Sequence, residues 1–160
     1  MRVRASEEGD RKAVKRFLDE RHTAEVARLG EVERALDHPA LIAEHDDGSL
    51  AGVLTYVLRG DQCEILTLHA TERHAGAGTE LLNAVEQVAA ERGCRRLWLL
   101  TTNDNVDALR FYQRRGFRLA QLHPGGVDEA RAALKPEIPA TGEYGIPLRD
   151  ELVLDKEVGV

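Results

Sequence analysis

Two glycines, Gly76 and Gly78, lie in a short turn between an apolar run and an amphipathic helical pattern. The first amides of a helix have no internal acceptor and lie at the positive end of its dipole, so they can bind an anion. Glycine lacks a Cβ and lets a phosphate approach the backbone, and Arg73 adds a positive charge beside the turn. The pattern favours a phosphate-binding turn, although a tight strand-to-helix connection would also use glycine for its geometry alone.

The residues around these glycines exclude two common phosphate motifs. A Walker phosphate loop has Lys and then Ser or Thr after its second glycine, whereas Thr79 and Glu80 follow Gly78 in this chain. A dinucleotide fingerprint needs three spaced glycines, and this turn supplies fewer. The remaining pattern is Arg-x-x-Gly-x-Gly over residues 73–78.

A second motif follows a buried-strand pattern at 96–102. Residues 105–117 have the sequence Asn-Val-Asp-Ala-Leu-Arg-Phe-Tyr-Gln-Arg-Arg-Gly-Phe. Together with the glycine turn, this segment resembles the two signatures of the GNAT superfamily of N-acetyltransferases, in the same order. The second signature, Asn-x-x-Ala-x-x-Phe-Tyr-x-x-x-Gly-Phe, is matched at every fixed position. The resemblance covers most of 3–122 and is closest over 64–117.

The resemblance implies an α/β fold with a mixed, mostly antiparallel sheet of roughly six to seven strands flanked by about four helices. It also implies that the sheet splays after the central strand, leaving backbone groups free to pair with the pantetheine arm of coenzyme A. The length suits one domain over 1–160. We expect the loop 135–150 and a closing strand at 151–158 to belong to that domain.

By the same resemblance, the expected activity is transfer of the acetyl group of acetyl-CoA directly to a primary amine of a small molecule or peptide. Acetyl-CoA is the expected acyl donor and co-substrate. The alternative is an acyl-CoA-binding sensor or an interaction module without turnover. An intact glycine turn disfavours an interaction protein with a vestigial fold.

Acetyl transfer to an amine needs a base or a water path, an oxyanion donor and an acid. The resemblance makes Tyr112 the candidate acid, which protonates the leaving sulfur; alternatively, this tyrosine packs in the core. Glu64, on the central strand, is the candidate base, or else it pairs with an arginine. Two-residue alternation places Glu64, Leu66 and Leu68 on one face of that strand. The Leu68 amide is the expected oxyanion donor.

The resemblance also assigns the coenzyme site. Asn105 is expected to bind the pantetheine arm while it caps its own helix. Family members often carry Gly and a basic or Gln residue where this chain has His74 and Ala75, so we expect coenzyme binding to persist with one side-chain contact fewer. The residues predicted to contact the coenzyme are Leu66, Leu68, Arg73, His74, Ala75, Gly76, Ala77, Gly78, Thr79, Asn105, Ala108 and Tyr112.

The cysteines and histidines predict no further chemistry. Alternation turns Cys63 away from Glu64, and no histidine is placed beside it, which disfavours a covalent route. Cys63 and Cys94 are expected to be reduced, buried thiols of a cytoplasmic protein. His69 and His74 flank the glycine turn, where either a ligand contact or a solvated loop position is expected. No spacing predicts a metal site.

Charge and composition bear on the partners. The formal net charge of -6 argues against nonspecific binding to nucleic acid, and no apolar stretch approaches the length of a membrane span. Acids outnumber bases over 16–47, which suits either a cationic acceptor or a solvated helix face. The loop 135–150 is expected either to cover the acceptor cleft or to act as a structural clamp or a homodimer contact.

Periodicity places the elements that hold these residues. A helix is predicted after a cap at Ser6, with Ala13, Val14, Phe17 and Leu18 as its apolar stripe. Further helices are predicted over 81–89, from 105 and over 127–134, and one around 24–36 that Gly30 interrupts. Strands are predicted at 3–5, 41–44, 50–58, 63–68, 96–102 and 118–123. Residues 151–155 alternate in the manner of an edge strand that closes the sheet.

Overall fold

The computed structural model describes residues 1–72 and 75–159, so Arg73 and His74 lie outside the described residues. Nine strands and four helices occur in the described part of the chain. In chain order they are β1 (Arg2–Ala5), α1 (Arg11–Glu20), β2 (Glu25–Arg28), β3 (Glu31–Arg34), β4 (Ala40–Glu44), β5 (Leu50–Arg59), β6 (Gln62–Ala70), α2 (Ala77–Glu91), β7 (Arg96–Thr102), α3 (Val106–Arg114), β8 (Arg118–His123), α4 (Gly126–Ala133) and β9 (Glu151–Glu157).

Seven of the strands form one sheet in the order β1-β4-β5-β6-β7-β9-β8, and β2 and β3 form a separate two-stranded ribbon. The pairs β1–β4, β4–β5, β5–β6 and β8–β9 are antiparallel. The predicted mixed, mostly antiparallel sheet with four helices is confirmed. The residues cluster in two compact units. The first unit comprises Met1–Val26, Arg34–Leu97 and the chain from Glu157, and the second unit comprises Ala27–Glu33 and Trp98–Lys156.

Helix α1 covers one face of the sheet in the first unit. Its apolar residues recur at helical spacing, and Val14, Phe17 and Leu18 are buried as that spacing predicts. They belong to a core cluster with apolar residues of β4, β5 and β6, including Val57 and Leu66. Burial of these side chains fixes the orientation of β6, the strand that carries Glu64.

The prediction of a helix around 24–36 is wrong. Strands β2 and β3 occupy this segment instead, joined by a two-residue turn at Leu29 and Gly30. Both turn residues have positive φ, 49° and 78° respectively, which is the conformation of a type I′ hairpin turn. Gly30 therefore connects two strands rather than interrupting a helix.

Strand β6 contains a β-bulge at Leu66. Thr55 of β5 pairs with Thr67, but the next residue along β5 pairs with Ile65, which leaves Leu66 as the extra residue. A bulge of one residue shifts the alternation beyond it. Glu64 and Leu68 pair with β5 residues three positions apart, so they lie on opposite faces. The prediction that Leu68 shares the face of Glu64 is wrong.

The alternation of 151–155 predicts that β9 is an edge strand, and this prediction is wrong. Strand β9 lies between β7 and β8, and β8 is the edge strand. Alternation shows that one face of a strand is exposed, but it carries no information about neighbours in the hydrogen-bonding direction. Within residues 1–72 and 75–159, no helix is both long and apolar enough to cross a membrane.

Candidate active site

The glycine turn leads directly into α2. Gly76 is the N-cap residue and has φ 91° and ψ -7°, and Ala77 begins the helix. The Gly76 carbonyl accepts the Glu80 amide at 3.0 Å, so the helix is regular from its first turn. A Cβ at Gly76 would come no closer than 3.8 Å to a described atom, the Met1 Cε. The left-handed backbone, rather than lack of space, therefore requires glycine here.

The first turn of α2 presents backbone donors in the arrangement that the sequence predicts. Ala77 and Gly78 are the first residues of the helix, and helix geometry gives their amides no acceptor within the helix. These amides lie at the positive end of the helix dipole, where a diphosphate is stabilised. Ala75 and Thr79 flank them. The contacts predicted for Arg73 and His74 lie outside the described residues.

The bulge in β6 alters the backbone at the position predicted to face the pantetheine arm. Leu66 is buried and lies outside the regular ladder with β5. The bulged residue of a strand leaves the ladder locally disrupted and bends the strand. Leu68 resumes the pairing, opposite Leu54. The bulge therefore distorts the backbone of β6 locally at Leu66.

Glu64 is buried in the middle of β6, with 2% of its surface exposed. Its Oε1 lies 3.5 Å from a guanidinium nitrogen of Arg59, whose side chain is half exposed. A buried carboxylate is costly unless it is paired. The structure thus contains the arginine pair that was one of the two expectations for Glu64. A role for Glu64 as a base stays a prediction.

His69 is a polar residue of this region whose setting the sequence did not predict. It lies within β6 rather than in a solvated loop. Its Nε2 is 3.0 Å from the Thr23 hydroxyl, and its ring centroid is 6.5 Å from that of Phe17. Burial, with a smaller contribution from the Arg21 guanidinium, lowers the pKa of His69 to about 4. The ring is therefore neutral near pH 7.

The polar side chains of β6 share one face because of the bulge. Thr67 pairs with Thr55, and their buried hydroxyls are 2.6 Å apart. With the register shift counted, Glu64, Thr67 and His69 all point to the face that carries α1. Plain alternation would have put Glu64 and His69 on opposite faces. No residue type in 62–70 signals the bulge, so this grouping could not be found from the sequence.

In the second unit, Asn105 caps α3. Its Oδ1 accepts the Ala108 amide at 3.3 Å, and its Nδ2 donates to the Thr101 hydroxyl at 3.2 Å. The predicted helix cap is confirmed. Both ends of the side-chain amide are engaged within the chain, which fixes the orientation of Asn105 at the start of the helix.

Tyr112 lies on α3 about two turns beyond Asn105 and is 7% exposed. Its ring meets the rings of Phe111 and Phe117 edge-on, with centroids 5.1 and 5.3 Å away. Burial raises the pKa of Tyr112 above its usual value. The phenol therefore keeps its proton at neutral pH, as a proton donor must. The aromatic packing also holds the ring in one orientation.

The buried thiols carry no sign of a covalent route. Cys63 and Cys94 are both free and buried. Burial raises the pKa of Cys63 to about 12 and also raises the pKa of Cys94. Because the thiolate is the nucleophile, Cys63 is unreactive near pH 7. This agrees with direct transfer rather than transfer through an acyl-enzyme.

The loop that follows α4 is fixed to the second unit by one arginine. The Arg131 guanidinium donates to the carbonyls of Ile138, Pro139 and Leu148 at distances of 2.7 to 2.9 Å. These carbonyls come from both ends of the loop. Arg131 therefore draws the two ends together and holds them against α4.

A second set of contacts fixes the middle of the same loop. Asp104 is buried and accepts the Glu143 amide at 2.9 Å, and a Cβ at Gly142 would overlap its carboxylate. Asn103 donates to the Pro147 carbonyl and accepts the Asp150 amide. Contacts of this kind are those of a structural clamp, which was one of the expectations for 135–150.

The chain matches a known protein family over more than half of its length. The model described as "Acetyltransferase (GNAT) family" matches residues 7–117. The chain belongs to the GNAT acetyltransferase family. This assignment agrees with the fold and makes the chain an acetyltransferase with acetyl-CoA as its co-substrate. It confirms the resemblance on which the sequence-based expectations depend.

The chain is similar in sequence to known proteins and similar in fold to solved structures. The uncharacterized protein YdhI of Bacillus subtilis is 40% identical over 136 residues, which cover 85% of this chain and 84% of YdhI. An IAA acetyltransferase from Bacillus cereus has the same fold, with a TM-score of 0.73 and 21% identity over 98% of this chain and all of that one. A Bacillus subtilis acetyltransferase solved in complex with CoA gives a TM-score of 0.70 and 21% identity over 98% of each chain.

Proposed function

We propose that this GNAT protein transfers the acetyl group of acetyl-CoA directly to a primary amine of a small molecule or a peptide. The observation that carries the proposal is the left-handed Gly76 at the start of α2, which presents the amides of Ala77 and Gly78 to an anion. Residues 73–79 bind the diphosphate in this proposal, and the solved CoA complex of similar fold supports it. The backbone of Leu66 and Leu68 binds the pantetheine arm.

Helix α3 completes the proposed coenzyme site. Asn105, Ala108 and Tyr112 take the roles that their positions in the second GNAT signature imply. The Asn105 cap orients the first turn of the helix, and the rings around Tyr112 fix its phenol. A pre-oriented donor reduces the entropy that must be lost when the reacting groups are aligned.

The amine must lose a proton before it attacks. For an amine with a pKa of about 10.4, deprotonation at pH 7 costs roughly 4 to 5 kcal/mol. Glu64 accepts this proton, directly or through water, and Arg59 lies 3.5 Å from its carboxylate. The amine nitrogen then forms a bond to the thioester carbon while the Leu68 amide stabilises the oxyanion.

Collapse of the tetrahedral intermediate breaks the carbon–sulfur bond. The departing thiolate takes a proton from Tyr112, which is protonated at neutral pH. The nitrogen, which still carries one proton more than the amide product, returns that proton to the phenolate directly or through water. The products are an N-acetyl compound and free CoA. An amine acceptor suits the charge of the protein, because the formal net charge of -6 attracts cations.

Two measurements test the proposal. Isothermal titration calorimetry with acetyl-CoA is expected to give saturable binding. Release of CoA thiol is then followed across a panel of small amines, polyamines, aminoglycosides and peptides with free N-termini. At least one member is expected to release CoA in proportion to the N-acetyl product formed. Binding without turnover on any amine would support the alternative, an acyl-CoA sensor.

A further inference from the structure

The second unit contains a cavity of about 510 Å³ that the proposed chemistry does not use. The tip of the β2–β3 ribbon, the end of β8, one side of α4 and the start of β9 line it. Its size falls in the range of small-molecule sites. Much of the lining is apolar, with contributions from Leu29, Pro124, Ala130 and Leu134.

A buried carboxylate, that of Glu151, lines this cavity. Glu151 is 5% exposed. It sits against the backbone of Gly126, where a Cβ would overlap the carboxylate. The amide of Leu29 donates a hydrogen bond to it. Two local features therefore fix the carboxylate at the cavity wall: a glycine that makes room for it and a backbone donor that orients it.

The donor belongs to a residue in an unfavourable backbone conformation. Leu29 has φ 49° and is 40% exposed. A non-glycine residue in the left-handed region is disfavoured sterically and persists only where its surroundings hold it. The contact with Glu151 links this turn to the cavity.

Acidic residues outnumber basic residues around Glu151. Glu129 also lines the cavity. The nearest cation along the ribbon is Arg28, which is already shared between Glu31 and Glu33 at 3.4 and 3.5 Å. Burial raises the pKa of Glu151, as does Glu129, while the Leu29 amide, His123 and Arg28 oppose the rise. The lining thus brings together two acids, and the guanidinium of Arg28 is engaged by two other carboxylates.

His123 adds a second polar group to the lining. Its Nε2 is inaccessible to solvent and has no hydrogen-bond partner among residues 1–72 and 75–159. A buried polar atom without a partner costs free energy, and a small rotation of the His123 ring toward the cavity would let a ligand bond to Nε2 and recover that cost. The cavity thus combines apolar walls, a fixed carboxylate and an imidazole nitrogen with capacity for one hydrogen bond.

We propose that this cavity is a binding site for an organic ammonium. The Glu151 carboxylate and the His123 ring hold the ammonium group, and the short aliphatic body of the ligand packs against the apolar wall. The inference goes beyond the transfer chemistry because binding at this site requires no thioester. The ammonium could belong to the acetyl acceptor or to a separate ligand, and the chemistry of recognition is the same for both.

Butylammonium and 1,4-diaminobutane are the probes, and 1-butanol is the neutral comparison. Dissociation constants are measured by calorimetry on the full chain without acetyl-CoA, and His123 is monitored by NMR of the labelled ring. Both ammonium probes are expected to bind saturably and to shift the His123 signals. Equal binding of 1-butanol, or the absence of saturation with either ammonium at millimolar concentrations, would overturn the proposal without any variant.

Three variants locate the site. Glu151→Gln keeps the shape and removes the charge, so affinity for the ammonium probes is expected to fall about tenfold or more. Ala133→Leu fills the cavity from an exposed lining position and is expected to have a similar effect. Glu143→Gln removes an exposed acid of the same unit outside the lining and is the matched control. Unchanged affinity in folded Glu151→Gln would refute the assignment.

Addition of acetyl-CoA distinguishes the two sources of the ammonium. If 1,4-diaminobutane is acetylated and Glu151→Gln raises its KM, the bound amine is the acceptor; this arm rests on the proposed function. If the diamine binds without being acetylated, it is a separate ligand. A protein that acetylates no amine would contradict the proposed function and leave the binding result intact.

Discussion

Helices α2 and α4 begin in the same way but face different surroundings. Each follows a glycine in the left-handed conformation, Gly76 with φ 91° and Gly125 with φ 74°. Neither glycine has a side chain with which to cap the helix. Both helices therefore start with backbone amides that have no acceptor within the helix. The difference lies in what the chain supplies to those amides.

At α4, the chain supplies its own acceptors. The Arg149 carbonyl accepts the Val127 amide at 2.8 Å, and the Asp150 carboxylate accepts the Gly125 amide at 2.8 Å. The Glu151 carboxylate lies against Gly126. The segment before and at the start of β9 thus covers the first turn of α4 with oxygen atoms.

At α2, apart from the neighbours of Gly76 and the backbone of the helix itself, the described atom that a Cβ on Gly76 would meet is the Met1 Cε, which is apolar. The same local conformation can therefore serve two purposes. At α4, where an acidic segment folds over the helix start, the left-handed glycine is part of a structural cap. At α2, the role that we propose is the binding of an external anion.

The largest expected effect separates binding at α2 from chemistry at α3. Tyr112→Phe keeps the ring and removes the proton donor, so turnover is expected to fall by about 10²-fold. Affinity for acetyl-CoA is expected to change far less than turnover, because the proposed diphosphate contacts are at α2 and the phenol ring is kept. Steady-state kinetics and calorimetry on the same preparation measure both quantities. An unchanged rate would assign proton donation to another group or to solvent.

The second-largest expected effect tests the contact between the Glu151 carboxylate and the first turn of α4. Gly126→Ala places a methyl group where the Glu151 carboxylate lies, and overpacking of this kind costs about 1 to 3 kcal/mol of stability. Urea denaturation measures the loss. Combining it with Glu151→Ala is expected to recover much of the loss, since the overlap is removed. Full stability in the single variant would show that the carboxylate moves freely.

A matched pair of substitutions tests the comparison directly. Gly76→Ala and Gly125→Ala each force alanine into a left-handed conformation, at a cost of roughly 1 to 2 kcal/mol. Both variants are expected to lose similar stability in thermal unfolding. Affinity for acetyl-CoA is expected to fall only in Gly76→Ala. Equal loss of affinity in both variants would contradict the separate roles of the two helices.

The smallest expected effect is on pH dependence. The pKa of His69 is lowered to about 4, so the unfolded state binds more protons than the folded state between that value and the ordinary histidine pKa of about 6.5. Stability is therefore expected to fall as pH drops through this window, by on the order of 1 kcal/mol for a partly exposed ring. Urea unfolding between pH 4 and 8 is compared with His69→Gln, which should show a shallower slope.

The elements that resemble the family motifs were predictable from the sequence. The strand at β7, the Asn105 cap and the amphipathic α2 follow from local patterns, because strong periodicity and capping residues act over a few positions. The glycine turn was predictable for the same reason: a left-handed N-cap strongly favours glycine.

The features that were not predictable depend on interactions between distant segments. Leu29 adopts a positive φ that a leucine does not favour by itself. The turn that it forms joins β2 and β3 in a segment where the sequence predicts a helix. The bulge at Leu66 depends on the register with β5. The cavity beside Glu151 is assembled from the ribbon tip, α4 and the start of β9, and no local pattern connects these segments.

Because β6 contains an extra residue, the number of residues in the strand, as well as their types, determines which side chains face α1. Ile65 and Thr67 pair with adjacent residues of β5, so deleting Leu66 would leave the rest of the strand with its present partners. Glu64, Thr67 and His69 would then share a face by plain alternation. Loss of one residue from the regularly paired part of β6 would instead carry the residues beyond it to the opposite face.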